Sequence, residues 1–274
     1  MITFRSPAKI NLFLRILRKR PDGFHELASL FQTVDLFDYL HVKLGSKDRL
    51  TCDNPKIPLD SSNLILKAAD AFRSKTGISS GVEVHLEKNI PMEAGLGGGS
   101  SNAATLLWAF NQLTDCPLNE TELRLLAGAI GSDTAFFLSQ GTAYCTGRGE
   151  QIQLLDSVTP FAVTLVKPPI GLSTPLVYKN LQIDTLIVRD PQESLELFQS
   201  GRPVFYNDLE GTALMLRPEL DRLKSLLVSA GFGTVLLSGS GTSFFCLGEG
   251  QKIQLPDHFF FSGASVNRLQ GSWY

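Results

Sequence analysis

Alternating apolar and polar side chains predict strands in the first third of the chain. Residues 82–87 alternate strictly, which is typical of a half-buried strand. Apolar-rich stretches at residues 3–4, 10–17, 28–35 and 39–44 predict four earlier strands. The strand at 82–87 leads into a glycine-rich loop and then into a helical pattern, which defines a strand–loop–helix unit.

A second pattern, with apolar residues three or four positions apart, predicts helices. Asn63 is a typical helix N-cap, and Asn119 with Glu122 resembles a capping box. A glycine after the last apolar position stops a helix, as Gly77 and Gly131 do here. The predicted helices run from Asn63 to Gly77, over residues 103–113, from Asn119 to Gly131, and over residues 218–230.

The second half of the chain has a different pattern, in which short β-like runs end at proline or glycine turns. Residues 161–166 form a β-like run that ends at a proline pair. Residues 235–237 and 243–247 predict two strands around a glycine turn. Because strands and helices are mixed without strict βαβ alternation, we expect an α+β fold. We expect two domains, residues 1–150 and 151–274, that share one cleft.

Composition narrows the class of protein. The 274 residues are 43% hydrophobic and 19% charged, as in a globular protein with a substantial core. A net charge of -2 without a long basic stretch disfavours nucleic-acid binding. Scattered cysteines and histidines show neither disulfide nor zinc spacing. No apolar run reaches membrane length and no signal-peptide core is apparent, so we expect a cytoplasmic protein.

The most informative segment is the glycine run GLGGGSS at residues 95–101. Glycine allows positive φ and lets a ligand approach the main chain closely. A helix that begins at such a run directs free N–H groups and its positive dipole end at a bound anion. No lysine follows, as in a P-loop, and Ser100 stands where the dinucleotide pattern has its last glycine. The run therefore predicts a phosphate-binding loop of a third kind.

Two charged residues are candidates for phosphoryl-transfer chemistry. Asp133 enters an apolar run after a predicted helix end, where it would accept a hydroxyl proton; alternatively, it is a turn aspartate. Lys9 and Asn11 share one face of a predicted strand. Lys9 would offset negative charge in the transition state. The alternative is an ordinary amphipathic strand whose polar face is exposed to solvent.

Two turns carry further candidates. Phe24 and His25 follow a glycine, where an aromatic ring and an imidazole could stack on and hydrogen-bond a nucleobase. The alternative is a surface hairpin with Phe24 turned inward. The glycine turn at residues 238–241 is either a tight hairpin or a second close approach of the backbone to a ligand.

Six motifs resemble those of the GHMP kinases. The glycine loop, read as PMEAGLGGGSSNAA, is similar to the ATP loop of that superfamily. The motifs PAKINLFL, RPDGFH, GSDTAFF, GTAYCTGRGE and SGSG follow the same order over nearly the whole chain. PAKINL with DGFH resembles one family in particular, the enzymes that phosphorylate 4-diphosphocytidyl-2-C-methyl-D-erythritol in non-mevalonate isoprenoid biosynthesis.

The resemblance implies a two-lobed α+β fold with the active site between the lobes. It implies transfer of the γ-phosphate of ATP to the C2 hydroxyl of the methylerythritol group, with Lys9 and Asp133 at the family's catalytic positions. Mg²⁺ would bridge the phosphates. Its ligands stay open, with Ser101 as one candidate. The implied ATP-binding residues are Asn63, Lys88, Pro91, Met92, Glu93, Ala94, Gly95, Leu96, Gly97, Gly98, Gly99, Ser100 and Ser101. The implied substrate-binding residues are Asn11, Phe24, His25, Thr174, Pro175 and Tyr178.

Three residues depart from the pattern expected of this family. Glu93 replaces a small residue and brings a carboxylate close to a triphosphate, so we expect it to point away or to assist with magnesium. Ala135 replaces a proline, which predicts a less rigid loop. Phe24 replaces the common tyrosine, which preserves stacking and loses a hydroxyl contact.

Two alternative functions stay open. The first is a GHMP kinase with another acceptor, such as mevalonate or homoserine; Phe24 and His25 favour a cytidine acceptor instead. The second is a non-catalytic nucleotide sensor, which could have lost Lys9 or Asp133, whereas both are present. The expected partner is a small-molecule substrate, with no nucleic acid, membrane or obligate protein partner.

Overall fold

Two long antiparallel strands lie next to each other in the first sheet and pair with most of its other strands. The structure, a computed structural model, describes residues 1–251, 253 and 255–274. Strand β1 is Ile2–Lys19 and strand β2 is His25–Gly45, and they pair along almost their whole length. The expectation of four separate strands here was wrong. Register shifts such as the one between Pro7 and Ala8 absorb the interruptions, because a bulge bends a strand without ending it.

The first sheet has seven strands. β1 and β2 lie in the order β3-β4-β2-β1-β8, and β5 pairs with both β2 and β6. The remaining strands are β3 (Arg49–Cys52), β4 (Gly81–Glu87), β5 (Thr142–Gly147), β6 (Gln151–Leu154) and β8 (Tyr206–Asn207). β4 confirms the alternation at residues 82–87, whereas β3, β5, β6 and β8 were not predicted from the sequence.

Three helices and a short 3₁₀ helix share an apolar core with this sheet. The Asn63 side chain caps the first helix, Gly77 ends it with positive φ, and the Asn119–Glu122 capping box is formed, so these predictions are confirmed. The second helix begins at Gly98 rather than at residue 103, because the last glycines of the loop already adopt helical geometry. These elements are α1 (Leu64–Thr76), α2 (Gly98–Leu113), α3 (Glu120–Ile130) and the 3₁₀ helix Ala135–Leu138.

A second, four-stranded antiparallel sheet lies in the order β11-β7-β10-β9. Its strands are β7 (Ala162–Lys167), β9 (Thr234–Leu237), β10 (Phe244–Leu247) and β11 (Phe259–Ala264). The elements around it are α4 (Thr174–Asn180), the 3₁₀ helix Ile183–Thr185, α5 (Pro191–Gln199), α6 (Glu210–Leu216) and α7 (Pro218–Ser229). The strands predicted around the glycine turn and the helix predicted near 218–230 are confirmed.

Helices combined with one mainly antiparallel sheet and one wholly antiparallel sheet confirm the α+β class; the β1–β8 and β3–β4 pairs of the first sheet are parallel. The proposed boundary at residue 150 stays a prediction, and strand pairing crosses it, since β6 and β8 both belong to the first sheet. Farther along the chain, Ser265 bridges to Val34 of β2. Among the residues that the structure describes, no helix is long and apolar enough to cross a membrane.

Candidate active site

The glycine loop presents free backbone N–H groups at the start of α2. Gly95 and Gly97 have φ of 74° and 72°, in the left-handed region that favours glycine. Gly97 is the N-cap residue of α2, and no side chain among the described residues caps the helix. The first N–H groups of α2 therefore stay available, together with the positive end of the helix dipole, for an anion at the loop.

The glycine turn at residues 238–241 packs its main chain directly against the main chain of this loop. A Cβ on Gly95 would lie 1.9 Å from the Ser238 carbonyl oxygen, and a Cβ on Gly241 would lie 2.0 Å from the Gly95 nitrogen. The Ser238 hydroxyl donates to the Gly95 carbonyl at 3.0 Å. The turn between β9 and β10 thus approaches the main chain of the phosphate loop, while Gly239 and Ser240 line the same cleft.

Lys9 connects the glycine loop to the two other polar groups of the site. Its backbone N–H donates to the Leu96 carbonyl at 2.9 Å. Its ammonium donates to Asn11 Oδ1 at 2.6 Å, lies 3.5 Å from Asp133 Oδ2 and sits over the Phe31 ring. Lys9 is 3% exposed, whereas the Asp133 side chain is 32% exposed. The buried Lys9 side chain is therefore held by its contacts with Asn11 and Phe31, while the Asp133 carboxylate faces the cleft.

The strand pairing fixes the orientation of Asn11. The Asn11 amide donates to the Ser29 hydroxyl at 2.9 Å, and Ser29 donates onward to the Phe13 carbonyl at 2.6 Å. This leaves Asn11 Oδ1 as the acceptor for Lys9. On the other side of the site, a Cβ on Gly149 would lie 3.4 Å from Asp133 Oδ1, so the turn after β5 packs beside the carboxylate.

One cleft of 1560 Å³ contains almost all the predicted site residues. Those that line it are Lys9, Asn11, Phe24, His25, Asn63, Lys88, Pro91, Met92, Glu93, Ala94, Gly95, Leu96, Gly97, Gly98, Gly99, Ser100, Asp133, Thr174, Pro175 and Tyr178. Ser101 differs, because it is fully buried and its hydroxyl accepts a hydrogen bond from Ser6 at 2.8 Å. Its geometry does not favour a magnesium ligand.

Aromatic side chains gather at one end of the cleft. The His25 and Tyr178 rings lie 5.0 Å apart, and the Thr174 and Ser240 hydroxyls are 2.7 Å apart. Burial, with a smaller contribution from Lys19, lowers the pKa of His25, so the neutral imidazole prevails at pH 7. Burial also raises the pKa of Tyr178, which keeps its phenol protonated.

Phe24 is 53% exposed at this end of the cleft, so the inward-facing alternative does not apply. The Arg148 guanidinium lies over the Phe24 ring at 4.9 Å and lines the same cleft. Arg148 was missed as a site residue. Arg148 lies in the CTGRGE stretch, which belongs to one of the motifs that resemble the GHMP kinases.

Glu93 is exposed and has φ of 50°, an unusual conformation for a residue other than glycine. A Cβ on Gly171 would lie 1.9 Å from Glu93 Oε2, so the carboxylate packs against the segment that follows β7. The nearby Glu93 charge partly offsets the lowering of the Lys167 pKa, which burial causes. Glu93 also lines the cleft, so its orientation relative to a bound triphosphate stays a prediction.

The fold is that of the GHMP kinases. The profile of the GHMP kinases N terminal domain matches residues 63–141. A crystal structure of homoserine kinase from Cytophaga hutchinsonii shares the fold, with a TM-score of 0.69 and 18% identity over 97% of this chain and 95% of that one.

Two relatives narrow the class. The 4-diphosphocytidyl-2-C-methyl-D-erythritol kinase of Protochlamydia amoebophila is 49% identical over 271 residues, which cover 98% of this chain and 91% of the relative. A crystal structure of 4-(cytidine 5'-diphospho)-2C-methyl-D-erythritol kinase matches with a TM-score of 0.81 and 34% identity, covering 97% and 99% of the two chains. The chain belongs to the 4-diphosphocytidyl-2-C-methyl-D-erythritol kinase family.

Proposed function

We propose that the protein transfers the γ-phosphate of ATP to the C2 hydroxyl of 4-diphosphocytidyl-2-C-methyl-D-erythritol, with Asp133 and Lys9 as catalytic residues. The observation that carries this assignment is the 3.5 Å approach of Lys9 Nζ to Asp133 Oδ2 in the cleft that also contains the glycine loop. The site supports a reaction in isoprenoid precursor biosynthesis, as the family membership indicates.

Asp133 would orient the acceptor hydroxyl and accept its proton as the oxygen attacks the γ-phosphorus. Lys9 would hold Asp133 and the hydroxyl in register and offset negative charge on the transferring group. Asn11, which accepts from the Lys9 ammonium, keeps that ammonium aligned. The backbone N–H groups at the start of α2 would hold the β- and γ-phosphates, and residues 91–100 would enclose the nucleotide.

Magnesium would be coordinated at this site mainly by phosphate and water oxygens, with few ligands from the protein. Among the described residues, no group of three or more histidine, cysteine or acidic side chains could hold a metal ion. Ser100 has an oxygen-bearing side chain and lines the cleft beside the loop. It would complete a coordination shell made mostly of phosphate and water oxygens, and the ion would neutralise phosphate charge.

The aromatic end of the cleft would bind the cytidine. His25, neutral at pH 7, can donate and accept hydrogen bonds along a base edge, while Tyr178 and Phe24 offer faces for stacking. Thr174 and Pro175, at the start of α4, line the same region. A mevalonate or homoserine acceptor would leave this surface without a partner, which favours the cytidyl substrate.

Release of ADP tests the assignment directly. The purified protein with ATP, Mg²⁺ and the cytidyl substrate should form ADP, and CMP should compete with the acceptor. Turnover of mevalonate or homoserine without turnover of the cytidyl substrate would overturn the acceptor assignment. ATP binding without ADP release under any acceptor would favour the sensor instead. The two-domain division at residue 150 and the cytoplasmic location stay predictions.

Replacement of Arg148 by methionine should raise the KM for the acceptor about tenfold and leave the KM for ATP unchanged. The guanidinium lies over Phe24 at the acceptor end, where it can meet the substrate's diphosphate, and a charge-assisted hydrogen bond contributes about 1.5–3 kcal/mol. Steady-state kinetics with each substrate varied in turn measures both constants. Arg222→Met, on the exposed surface of α7, is the matched control and should change neither. An equal rise in both KM values would contradict the assignment of Arg148 to the acceptor.

A further inference from the structure

We infer that Asp38 is a positioning residue for the phosphate loop, because its carboxylate joins the two ends of that loop. This inference rests on the proposed function, since it takes the loop to be where ATP binds. Asp38 lies on β2 and is fully buried. A fully buried carboxylate needs a complete set of donors, and these donors show what the residue holds together.

Four hydrogen bonds reach the Asp38 carboxylate. Oδ1 accepts the backbone N–H groups of Asn89 at 2.8 Å and Ile90 at 2.7 Å. Oδ2 accepts the Lys88 ammonium at 2.8 Å and the Asn102 side-chain amide at 2.9 Å. Three of these donors belong to the segment that enters the loop, and the fourth belongs to the first turns of α2, where the loop ends.

The span of the loop is therefore set by one side chain. Residues 91–97 form the loop between these two anchors, and its glycines have little intrinsic conformational preference. Without a common anchor, the entering segment and α2 could move relative to each other. The N–H groups at the start of α2 would then lose their fixed position relative to the rest of the phosphate site.

Lys88 takes part in this anchor rather than presenting a free ammonium to the cleft. Its side chain is 5% exposed, and its ammonium also donates to the Ile90 carbonyl at 2.5 Å. A Cβ on Gly98 would lie 3.1 Å from Lys88 Nζ, so the ion pair lies directly beneath the start of α2. We therefore assign Lys88 to the support of the loop, and its expected position near adenine stays a prediction.

The same network explains why Ser101 turns inward. Asn102 also donates to the Ser6 hydroxyl at 2.9 Å, and Ser6 donates to the Ser101 hydroxyl at 2.8 Å. Ser6 lies on β1, shortly before Lys9 in the chain, and it is fully buried. β1, β2 and α2 are thus joined by one chain of buried polar groups under the loop.

Asp38→Asn is the test variant. Asparagine keeps the shape, but one donor of the set loses its acceptor and the buried Lys88 ammonium loses its charge partner. We expect the dissociation constant for a non-hydrolysable ATP analogue and the KM for ATP to rise about tenfold, the effect of losing one charge-assisted contact. The KM for the acceptor should stay within about twofold, since a loop displacement affects the nucleotide side.

Asp48→Asn is the matched control. Asp48 likewise accepts from a cationic side chain, that of Arg73, and from a backbone N–H, that of Val82, but it lies at the opposite end of β4 from Asp38. Its replacement should lower the melting temperature without changing the affinity for the ATP analogue. Asp38→Asn should also lower the melting temperature, because it leaves the buried Lys88 ammonium unpaired. Asp38→Asn/Lys88→Met, which removes both charges, should recover part of that loss and keep the weak nucleotide binding.

Asn102→Ala provides a milder variant if Asp38→Asn does not fold, and it should weaken analogue binding in the same direction. Calorimetric titration of the wild type and the variants with the ATP analogue separates the possible failures. A wild type that does not bind the analogue would overturn the proposed function itself. A folded Asp38→Asn variant, or a folded Asn102→Ala variant, with wild-type affinity for the analogue would overturn the role of Asp38. An equal loss of affinity for both substrates would also overturn it.

Discussion

Replacement of Asp133 by asparagine should lower kcat about 10³-fold, because an asparagine amide cannot accept the acceptor's proton. Affinity for ATP should stay within about twofold of the wild type, since the glycine loop and the start of α2 are untouched. Asparagine preserves the shape of the side chain, so the turn beside Gly149 should keep its packing. Single-turnover kinetics, with nucleotide affinity measured separately, distinguishes a slow chemical step from weak binding.

Asp184→Asn is the matched control for this variant. Asp184 lines the same cleft from the short 3₁₀ helix at Ile183–Thr185, and its loss removes the same charge. Its kcat should stay within about twofold of the wild type. A fully active Asp133→Asn variant would contradict the assignment of the base. Equal losses in both variants would indicate a general effect of charge in the cleft.

Replacement of Gly241 by alanine should disrupt the phosphate loop and lower the stability of the whole protein. The added Cβ would lie 2.0 Å from the Gly95 nitrogen and 2.2 Å from the Ala94 carbonyl carbon, and backbone cannot rotate away as a side chain can. Overpacking of this kind costs about 1–3 kcal/mol in the free energy of unfolding. Since the displaced atoms belong to the loop, we expect kcat/KM for ATP to fall about 100-fold as well.

Gly211→Ala is the control for Gly241→Ala. Gly211 lies in α6, and a Cβ there would meet no atom within 4 Å in the described part of the chain. Because alanine favours helix by up to about 1 kcal/mol over glycine, this variant should be as stable as the wild type or slightly more so. Urea unfolding and steady-state kinetics measure the two effects. Wild-type stability and activity in Gly241→Ala would contradict the close packing of the turn against the loop.

Local patterns in the sequence predicted the local parts of the fold. The Asn63 cap, the Asn119–Glu122 capping box and the strand at β4 depend on residues within a few positions of one another. The same holds for the glycine loop at the start of α2. These features follow from short-range geometry, which is why a single sequence sufficed.

Contacts between distant segments could not be predicted in the same way. Gly241 looked like part of a hairpin, and its need for glycine arises from Gly95, which is far away along the chain. Ser101 looked like a ligand for a cation, yet Ser6 turns it inward. Asp38 gave no signal at all, since its donors come together only when β2, the loop and α2 are in place.

In the candidate site, too, contacts between neighbouring residues could be predicted from the sequence pattern, and contacts between distant segments could not. Lys9 and Asn11 were placed together by the two-residue period of a strand, and the structure joins them at 2.6 Å. The approach of Asp133 to Lys9 came only from the family resemblance, because the two residues lie far apart along the chain. Arg148 needed the tertiary structure, since only there does its guanidinium lie over Phe24.

A crystal structure with a non-hydrolysable ATP analogue and the cytidyl substrate tests the central claim most directly. We predict that the C2 hydroxyl lies within about 2.6–3.2 Å of an Asp133 carboxylate oxygen, the hydrogen-bond reach that a general base needs. The Lys9 ammonium should contact the same hydroxyl or the γ-phosphate, and the γ-phosphate should lie at the start of α2. A C2 hydroxyl out of reach of Asp133, with another side chain bonded to it, would contradict the account.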